Sequence, residues 1–304
     1  MTHYIAAYDT EQYDRSLLPP EVPTCLEACR RIVEVHRKHA MPATFFIVGK
    51  ALEAAPAGFR ALLDDPLFEI ASHTYSHRIL RDHPFCGPAA PLDEVRQEIA
   101  RGKAVVEDVF GRPCPGMRTA CGFTDGLRGA PEVLQIVQEA GYKYVSSKLW
   151  GPDYSLPADL SQSFTYADDG FPALREFPGH GWHENLLKNN NRIFGMSSLR
   201  VLLFPPLYPE MIPAGFVSSP EEEFQYNNRP LIRRAKEGRL GYVSMVWHPW
   251  SLGFFDPDMR MLEMTFRHVY EQDLIPTTFG RLNEQLWLSS AQTGGADPPT
   301  DVNS

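Results

Sequence analysis

Short apolar runs alternate with helical segments along most of this 304-residue chain, and this alternation limits the possible folds more than any other feature. The runs ATFFIVG at 43–49 and YVSMVW at 242–247 have the composition of buried strands. A helical segment opens at Thr24 and Glu27, which form a capping-box pattern, and extends to about residue 39. Strands that alternate with helices predict parallel β/α units, arranged as an open sheet or as a barrel. The remaining predicted strands cover residues 4–8, 67–71, 116–119, 142–145, 173–177 and 274–279, and the remaining predicted helices cover residues 50–64, 92–110, 131–140 and 257–272.

Two segments interrupt the alternation. Residues 180–230 are much longer than a usual βα connection and are rich in Pro, Asn and aromatic residues, which predicts an insertion that forms a lid, a substrate wall or an oligomer contact. The tail over 289–304 is polar and contains Gly and Pro, which predicts disorder. We therefore predict a single domain over residues 1–288. If the insertion is an oligomer contact, the protein forms a homo-oligomer.

Composition excludes several classes of partner. The net charge is −9 and Lys and Arg are not clustered, so nucleic acid is not expected as a partner. No apolar run approaches the roughly 20 residues of a membrane helix, so we expect no transmembrane segment. The N-terminal stretch MTHYIAAYDTEQ lacks the basic start and apolar core of a secretory signal, which predicts a cytoplasmic protein.

The cysteines agree with a reducing compartment. There are five, they form no CxxC pair, and their odd number argues against a disulfide framework. Cys25 and Cys29 lie four positions apart, and we expect two buried small side chains there rather than a metal or redox pair.

Polar residues that can bind a metal or move a proton follow four of the predicted strands. They are Asp9 and Glu11, His73 and His77, Arg118, and His248. Because the carboxyl ends of parallel strands open onto one face, we expect these side chains to converge. Two imidazoles and one carboxylate are the ligands of a catalytic Zn²⁺ or similar ion that keeps a position open for water or substrate. In isolation an HxxxH pair belongs more often to a solvated helix face, and the placement at strand ends is what favours a metal site over that alternative.

These residues resemble, in order along the chain from about 4 to 285, the short motifs of the polysaccharide deacetylases, the NodB-homology carbohydrate esterases. The second motif, H-[ST]-x-x-H, is matched in full by residues 73–77, and the third, R-x-P-x-G, is similar to residues 118–122 without the proline. The first motif, TFDDG, is matched loosely by AYDTEQ, whose Asp9 and Glu11 resemble the D-x-E form of one branch. His248, at the end of a late strand, resembles the last motif.

The resemblance implies a distorted (β/α) barrel with about seven strands and metal-assisted hydrolysis of an N-acyl group. It implies Asp9 as the general base. Thr10 stands where the family's usual carboxylate ligand stands, so Glu11 becomes the candidate metal ligand, together with His73 and His77. Zinc is the expected ion. The alternative for Glu11 is an acid on a surface loop.

The resemblance also implies roles for three further residues. Arg118 would orient the general base and keep it ionised. The backbone N–H of Cys121 would donate to the developing oxyanion. His248 would protonate the leaving amine. A surface salt bridge for Arg118 and a core position for His248 are the alternatives.

The residue that orients the late histidine is left open. Val145 stands where an Asp is common in the family, and Asp153 or Asp169 could take that role. His180 and His183 form a second candidate pair for metal, but they lie in the irregular insertion, which favours a role in a substrate loop.

Aromatic residues near the proposed site are candidates for substrate binding, because flat rings suit the apolar face of a sugar or another planar group. These candidates are Tyr75, Trp150, Trp182 and Trp250. With the predicted location, they favour a small-molecule or lipid-linked amino sugar, carrying an acetyl or formyl group, as substrate. Two alternatives remain: a cyclic amide or ureide hydrolase, with or without metal, and a carbohydrate-binding relative without catalysis.

Overall fold

The computed structural model describes residues 1–11, 15–155, 158–182, 207–211 and 217–292. In these ranges the chain forms ten strands interleaved with helices. The strands are β1 (His3–Thr10), β2 (Ala43–Ile47), β3 (Phe68–Ser72), β4 (Gly116–Phe123), β5 (Tyr144–Lys148), β6 (Phe164–Tyr166), β7 (Phe171–Glu176), β8 (Gly181–Trp182), β9 (Tyr242–Trp247) and β10 (Ile275–Thr277). The α-helices are α1 (Cys25–Lys38), α2 (Gly49–Ala54), α3 (Pro56–Leu63), α4 (Leu92–Phe110), α5 (Pro131–Glu139), α6 (Pro220–Glu223), α7 (Arg229–Glu237), α8 (Pro249–Phe255), α9 (Arg260–Glu271) and α10 (Phe279–Gln292).

The strands form one mostly parallel sheet, which confirms the predicted α/β barrel class. The order is β6-β7-β5-β4-β3-β2-β1-β9-β8, with β10 paired to the beginning of β1. Strand β7 bonds to β5, and β8, which follows it closely in the chain, bonds to β9, so one chain segment connects the two sides of this unclosed barrel. The sheet has more than the predicted seven strands because β6, β8 and β10 are short additions.

Strand β1 alternates between two apolar layers. Tyr8 faces outward, where its ring stacks on Phe45 at a centroid distance of 4.8 Å and its hydroxyl lies 2.7 Å from His36 of α1. Ile5 and Ala7 face inward. They belong to a set of buried residues that we name the interior cluster: Ile5, Ala7, Phe46, Ala71, Tyr144, Phe177, Tyr242, Phe279 and Leu282.

Several predicted elements change at their ends. The capping box at Thr24 is present, and it begins α1 as predicted. The predicted helix over 50–64 is two helices because the chain breaks at Ala55 before Pro56. The predicted disorder from Ser289 is wrong for its first four residues, since α10 extends to Gln292.

Other parts of the predicted organisation lie outside the described residues. These are 183–206 and 212–216 of the predicted insertion and 293–304 of the tail, and the single domain over 1–288 stays a prediction. Within the described ranges, no helix combines the length and the hydrophobicity needed to cross a bilayer.

The cysteine prediction is wrong in one respect. Cys86 and Cys121 form a disulfide, joining a loop after β3 to strand β4. An odd total does not exclude one isolated pair, because pairing depends on which segments the fold brings together. Cys25 and Cys29 are free and buried in α1, as predicted.

Candidate active site

Strand β1 carries the two carboxylates of the candidate site. Asp9 lies inside the strand and is 3% exposed, and Glu11 follows directly after the strand ends. Since side chains in a strand alternate between its faces, Asp9 continues the inward row of Ile5 and Ala7. The carboxylates therefore extend the interior of the barrel toward the carboxyl ends of the strands.

The two histidines follow β3 in a loop and do not lie on a helical turn. His73 and His77 lie in a loop in which Thr74 and His77 have φ values of 61° and 62°. The Thr74 hydroxyl accepts a hydrogen bond from the His77 N–H at 3.1 Å. This irregular turn brings the two imidazole centroids within 4.7 Å of each other.

Helix α4 supports this loop from outside. Glu98 is almost fully buried and accepts hydrogen bonds from the backbone N–H and the hydroxyl of Ser76, at 2.7 and 2.5 Å. Gly102 lies so close to the loop that a Cβ there would come within 2.7 Å of the Thr74 carbonyl carbon. The loop geometry thus depends on a buried acid and on the absence of a side chain one helical turn further along.

Glu11, His73 and His77 bring three possible ligand atoms within 4.8 Å of one another. The Glu11 Oε2 atom lies 2.8 Å from His77 Nε2 and 3.8 Å from His73 Nε2. A tetrahedral Zn²⁺ with bonds of about 2.0–2.1 Å needs ligand atoms roughly 3.3 Å apart, so these residues fit such an ion.

The second nitrogen of His73 sets the direction of its ring. Its Nδ1 lies 3.1 Å from the Arg118 carbonyl oxygen, which can only accept, so Nδ1 carries the proton and donates. The lone pair of Nε2 then faces the two carboxylates. Orientation of an imidazole through its other nitrogen is usual for metal ligands.

Burial and neighbouring groups shift the pKa values of Glu11 and His73. Burial alone would raise the pKa of Glu11. The neighbouring imidazoles of His77, His248 and His73 lower it by more than burial raises it, so the pKa of Glu11 is well below its ordinary value. Burial lowers the pKa of His73 to about 4, despite the nearby Asp9. Glu11 is therefore ionised and His73 neutral at neutral pH, which are the forms that bind a cation.

Asp9 and Arg118 form a buried ion pair. The Asp9 Oδ1 atom lies 2.6 Å from a terminal nitrogen of Arg118, and the two side chains are 4% and 0% exposed. The guanidinium also donates to the Ser146 hydroxyl at 3.0 and 3.2 Å, and it lies 4.2 Å from the ring centroid of Phe46. Arg118 is thus not at the surface, and its alternative role in a surface salt bridge is wrong.

Ser146 and Phe46 are site residues that the sequence reasoning missed. Ser146 lies in β5 on the strand next to β4, at the register position opposite Arg118. The available signal was the strand alternation, which would have placed a small polar residue of YVSS beside the predicted arginine.

His248 lies between β9 and α8, as the N-cap residue of that helix. Its Nε2 atom lies 3.5 Å from Glu11 Oε1, so the structure brings it to the same carboxylate as the other two histidines. Asp169 is held elsewhere, because it accepts from the Gly129 N–H at 3.0 Å and lies 3.5 Å from Arg128.

The second candidate histidine pair does not form a metal site in the described residues. His180 has both ring nitrogens within hydrogen-bonding distance of backbone groups, at 2.7 Å from the Ser161 carbonyl and 3.1 Å from the Ser244 N–H. His183 lies outside the described residues.

Cys121 lies in β4 with a φ of 62°, three residues after Arg118. Its carbonyl accepts a hydrogen bond from the Trp150 indole N–H at 2.8 Å. Of the predicted substrate-binding aromatics, Trp150 is therefore beside the candidate site.

The other predicted aromatic residues are placed differently. The Tyr75 hydroxyl donates to Glu53, and its ring lies 3.7 Å from the Arg101 guanidinium, between helices α2 and α4. Its role in substrate binding stays a prediction. Trp250 is fully buried in α8, which leaves it no surface for a substrate. The backbone of Trp182 ends β8, and its side chain lies outside the described residues.

Strained backbone conformations concentrate around these residues. Nine described residues other than glycine have φ between 49° and 62°. Four are next to helix ends, which is a common place for a left-handed residue. The remaining five are Thr74, His77, Cys121, Asp153 and Tyr154. Such strain is kept where surrounding structure enforces it, and it is frequent in functional sites.

Comparison with known proteins agrees with this geometry. The model of the family described as polysaccharide deacetylase matches residues 21–145, which contain the two loop histidines and the buried arginine. Over this segment, which is less than half of the chain, the sequence is similar to the polysaccharide deacetylase family. The family resemblance and the predicted enzyme class, a hydrolase of carbon–nitrogen bonds other than peptide bonds, are thereby confirmed. No curated protein matches the sequence.

Three solved structures illustrate the shared fold. A protein from Mycobacterium smegmatis assigned as a polysaccharide deacetylase has a TM-score of 0.61 at 16% identity, covering 95% of this chain and 91% of its own. PuuE allantoinase has a TM-score of 0.63 at 13% identity, covering 95% and 90%. A pseudoenzyme of family CE4 from Bacillus anthracis has a TM-score of 0.52 at 13% identity, covering 93% and 66%.

Proposed function

We propose that this protein is a metal-dependent hydrolase that removes an acetyl or formyl group from the nitrogen of an amino sugar or a related small amide. One observation carries the proposal: Glu11, His73 and His77 converge from two separate strand ends into a group that fits a divalent cation. The family match over residues 21–145 supports amide hydrolysis as the chemistry.

The residues beside this group supply the remaining functions. When bound, a divalent cation supplies Lewis-acid polarisation of the acyl group and of water. Asp9 lies 4.0 Å from the Nε2 atom of His73, close enough to accept a proton from a water molecule between them. Arg118 holds Asp9 in place through their buried ion pair.

His248 approaches Glu11 from strand β9, a third strand end. This position suits a general acid that gives a proton to the leaving amine. The backbone N–H of Cys121 is our candidate donor to the oxyanion that forms as the acyl carbon is attacked.

Hydrolysis of a cyclic amide or ureide is a second candidate. Its support is the fold shared with PuuE allantoinase and the presence of Thr10 where the family's usual carboxylate ligand stands. Retained turnover of a cyclic ureide after removal of all metal would favour this candidate. A binding protein without catalysis is a third possibility, against which the buried Asp9–Arg118 pair argues, because such a pair is costly to keep without a function.

Metal analysis tests the proposal. Protein purified without added metal, then incubated with Zn²⁺ and desalted, should hold about one ion per chain by elemental analysis. Glu11→Gln should hold much less, since it loses the charged ligand that contacts both histidines. Glu53→Gln is the matched control, because Glu53 bonds to Tyr75 on the outer side of the same loop. Full metal content in Glu11→Gln would contradict the ligand assignment.

A further inference from the structure

A tight hairpin, His83–Gly87, lies between the loop of His77 and helix α4. The backbones of His83 and Gly87 exchange two hydrogen bonds, of 2.9 and 3.0 Å, and Gly87 has the φ of 104° that the turn requires. The Nδ1 atom of His83 accepts from the backbone N–H groups of Phe85 and Cys86, at 3.2 and 3.1 Å. The hairpin is therefore fixed from within.

The hairpin presents a large apolar ring to solvent. Phe85 is 43% exposed, whereas Trp150 directly beside it is 4% exposed. The ring centroids of Trp150 and Tyr154 lie 6.0 and 5.1 Å from that of Phe85. Tyr154 and Asp153 both have left-handed backbones, a conformation that is unfavourable without glycine. We name Phe85, Trp150 and Tyr154 the aromatic cluster; it presents one exposed ring, that of Phe85, and a strained turn holds it in place, as in a preorganised binding surface.

This cluster is attached to the candidate active site. Cys86, next to Phe85, is disulfide-bonded to Cys121. Trp150 donates its indole N–H to the carbonyl of the same Cys121. Cys121 follows Arg118 by three residues in β4, so the cluster borders the site in which Arg118 and Asp9 lie.

Charged groups border the cluster on one side. Arg81 pairs with Asp125 at 2.7 Å, and their side chains are 32% and 49% exposed. The Arg81 guanidinium lies 5.5 Å from the ring centroid of Phe123, which is 5.8 Å from that of His83. An exposed aromatic face beside hydrogen-bonding charged groups suits a sugar ring, whose C–H face is apolar and whose hydroxyl groups are polar.

We propose that Phe85, supported by Trp150 and Tyr154, forms a binding platform for a pyranose ring of the substrate, with Arg81 and Asp125 binding hydroxyl groups of that ring. The proposal rests on the proposed function for the location of the reacting amide. It makes Phe85 a residue that determines specificity and leaves the chemical step to the residues of β1, β3, β4 and β9.

Binding measurements test the platform separately from turnover. The probe is the β-1,4-linked trimer of N-acetylglucosamine, titrated calorimetrically into Asp9→Asn protein, which prevents hydrolysis during the measurement. Adding Phe85→Ala should weaken binding about tenfold. Adding Tyr226→Ala, the matched control at an aromatic residue that is 41% exposed elsewhere, should change binding less than twofold. Cys86→Ser, which releases the hairpin from β4, should weaken binding by a smaller factor.

Each other outcome overturns the platform: no binding of the trimer, equal binding with and without Phe85→Ala, or an equal loss with Tyr226→Ala. Loss of hydantoin binding in Phe85→Ala, with trimer binding unchanged, would contradict a sugar ring as the ligand. Kinetics separate the two proposals. If otherwise wild-type protein hydrolyses no N-acyl substrate but trimer binding depends on Phe85, the proposed function fails and the platform stands.

Discussion

The inside of the barrel is divided into two chemically opposite regions that share the same strands. On β1, Ile5 and Ala7 belong to the interior cluster, and Asp9, the next residue on the same face, belongs to the candidate active site. The interior cluster is closed by Phe279 of α10, while the site region holds carboxylates and imidazoles. Successive inward-facing residues of β1 therefore belong first to the apolar core and then to the candidate site. The two regions differ in residue type and not in the strand that carries them.

Arg118 lies at the boundary between the two regions. Its guanidinium contacts the faces of Phe46 and Phe279, at 4.2 and 5.7 Å, and it pairs with Asp9 on the other side. Aromatic faces attract a cation, so the apolar region helps to hold the charge that the site uses. The comparison teaches that the apolar core of this barrel also packs against a charged residue of the candidate active site.

Removing the carboxylate charge of Asp9 should have the largest effect on activity. We expect Asp9→Asn to lower kcat on an N-acyl amino sugar by about 10²–10⁴-fold, since the proton acceptor is lost. Metal content by elemental analysis should stay at the wild-type value. Asp168→Asn, at a carboxylate that is 86% exposed, is the control. Wild-type kcat in Asp9→Asn would mean that the polar region is not where catalysis occurs.

A cavity in the interior cluster should lower mainly the stability of the protein. Phe279→Ala should lower the free energy of unfolding by about 3–5 kcal/mol in urea titrations, because a fully buried ring leaves a cavity. Phe266→Ala, at an equally buried ring in the outer layer, should cost a similar amount. If Arg118 needs the interior cluster, only Phe279→Ala should also lower kcat.

The burial of His36 against the outward face of β1 can be tested by the pH dependence of stability. Burial lowers the pKa of His36 to about 4, against 6.5 when exposed, so below pH 6.5 the unfolded chain binds a proton that the folded protein does not. Stability should therefore fall as the pH decreases from 6.5 to 4, by on the order of 3 kcal/mol for this residue. His36→Gln should make the urea midpoint less dependent on pH over that window. An unchanged dependence would show that His36 is not neutral and buried.

The smallest effect is expected at Ser146. Ser146→Ala removes two hydrogen bonds to Arg118, which should lower the free energy of unfolding by about 1–2 kcal/mol. We expect kcat to fall about tenfold because Asp9 is then held less firmly, with metal content unchanged. Ser146→Thr keeps the hydroxyl and should restore most of kcat; failure of this rescue would point to a packing effect instead.

The sequence predicted the convergence of the site well. Strand order and the rule that parallel strands end on one face were sufficient to bring Glu11, His73, His77 and His248 together. These inferences need only the identity of the strand that precedes each residue, and the neighbouring sequence is sufficient to recognise that strand.

The failures concern features that depend on tertiary contacts. The turn between His73 and His77 is fixed by Glu98 and Gly102 of a distant helix, so its shape and the outward direction of Tyr75 were not readable from spacing. Likewise, Cys86 meets Cys121 only because the hairpin folds back onto β4. The number of cysteines does not show which of them come close together in the fold.

The pairing of β10 with β1 has a consequence for synthesis. His3–Ile5 of the first strand are completed by Ile275–Thr277, and Phe279 then enters the interior. A nascent chain on the ribosome therefore holds β1 incompletely paired until residues 275–277 have been translated. Contacts between such remote segments make folding slow, so we expect the candidate active site, which includes residues of β1, to form after the surrounding helices.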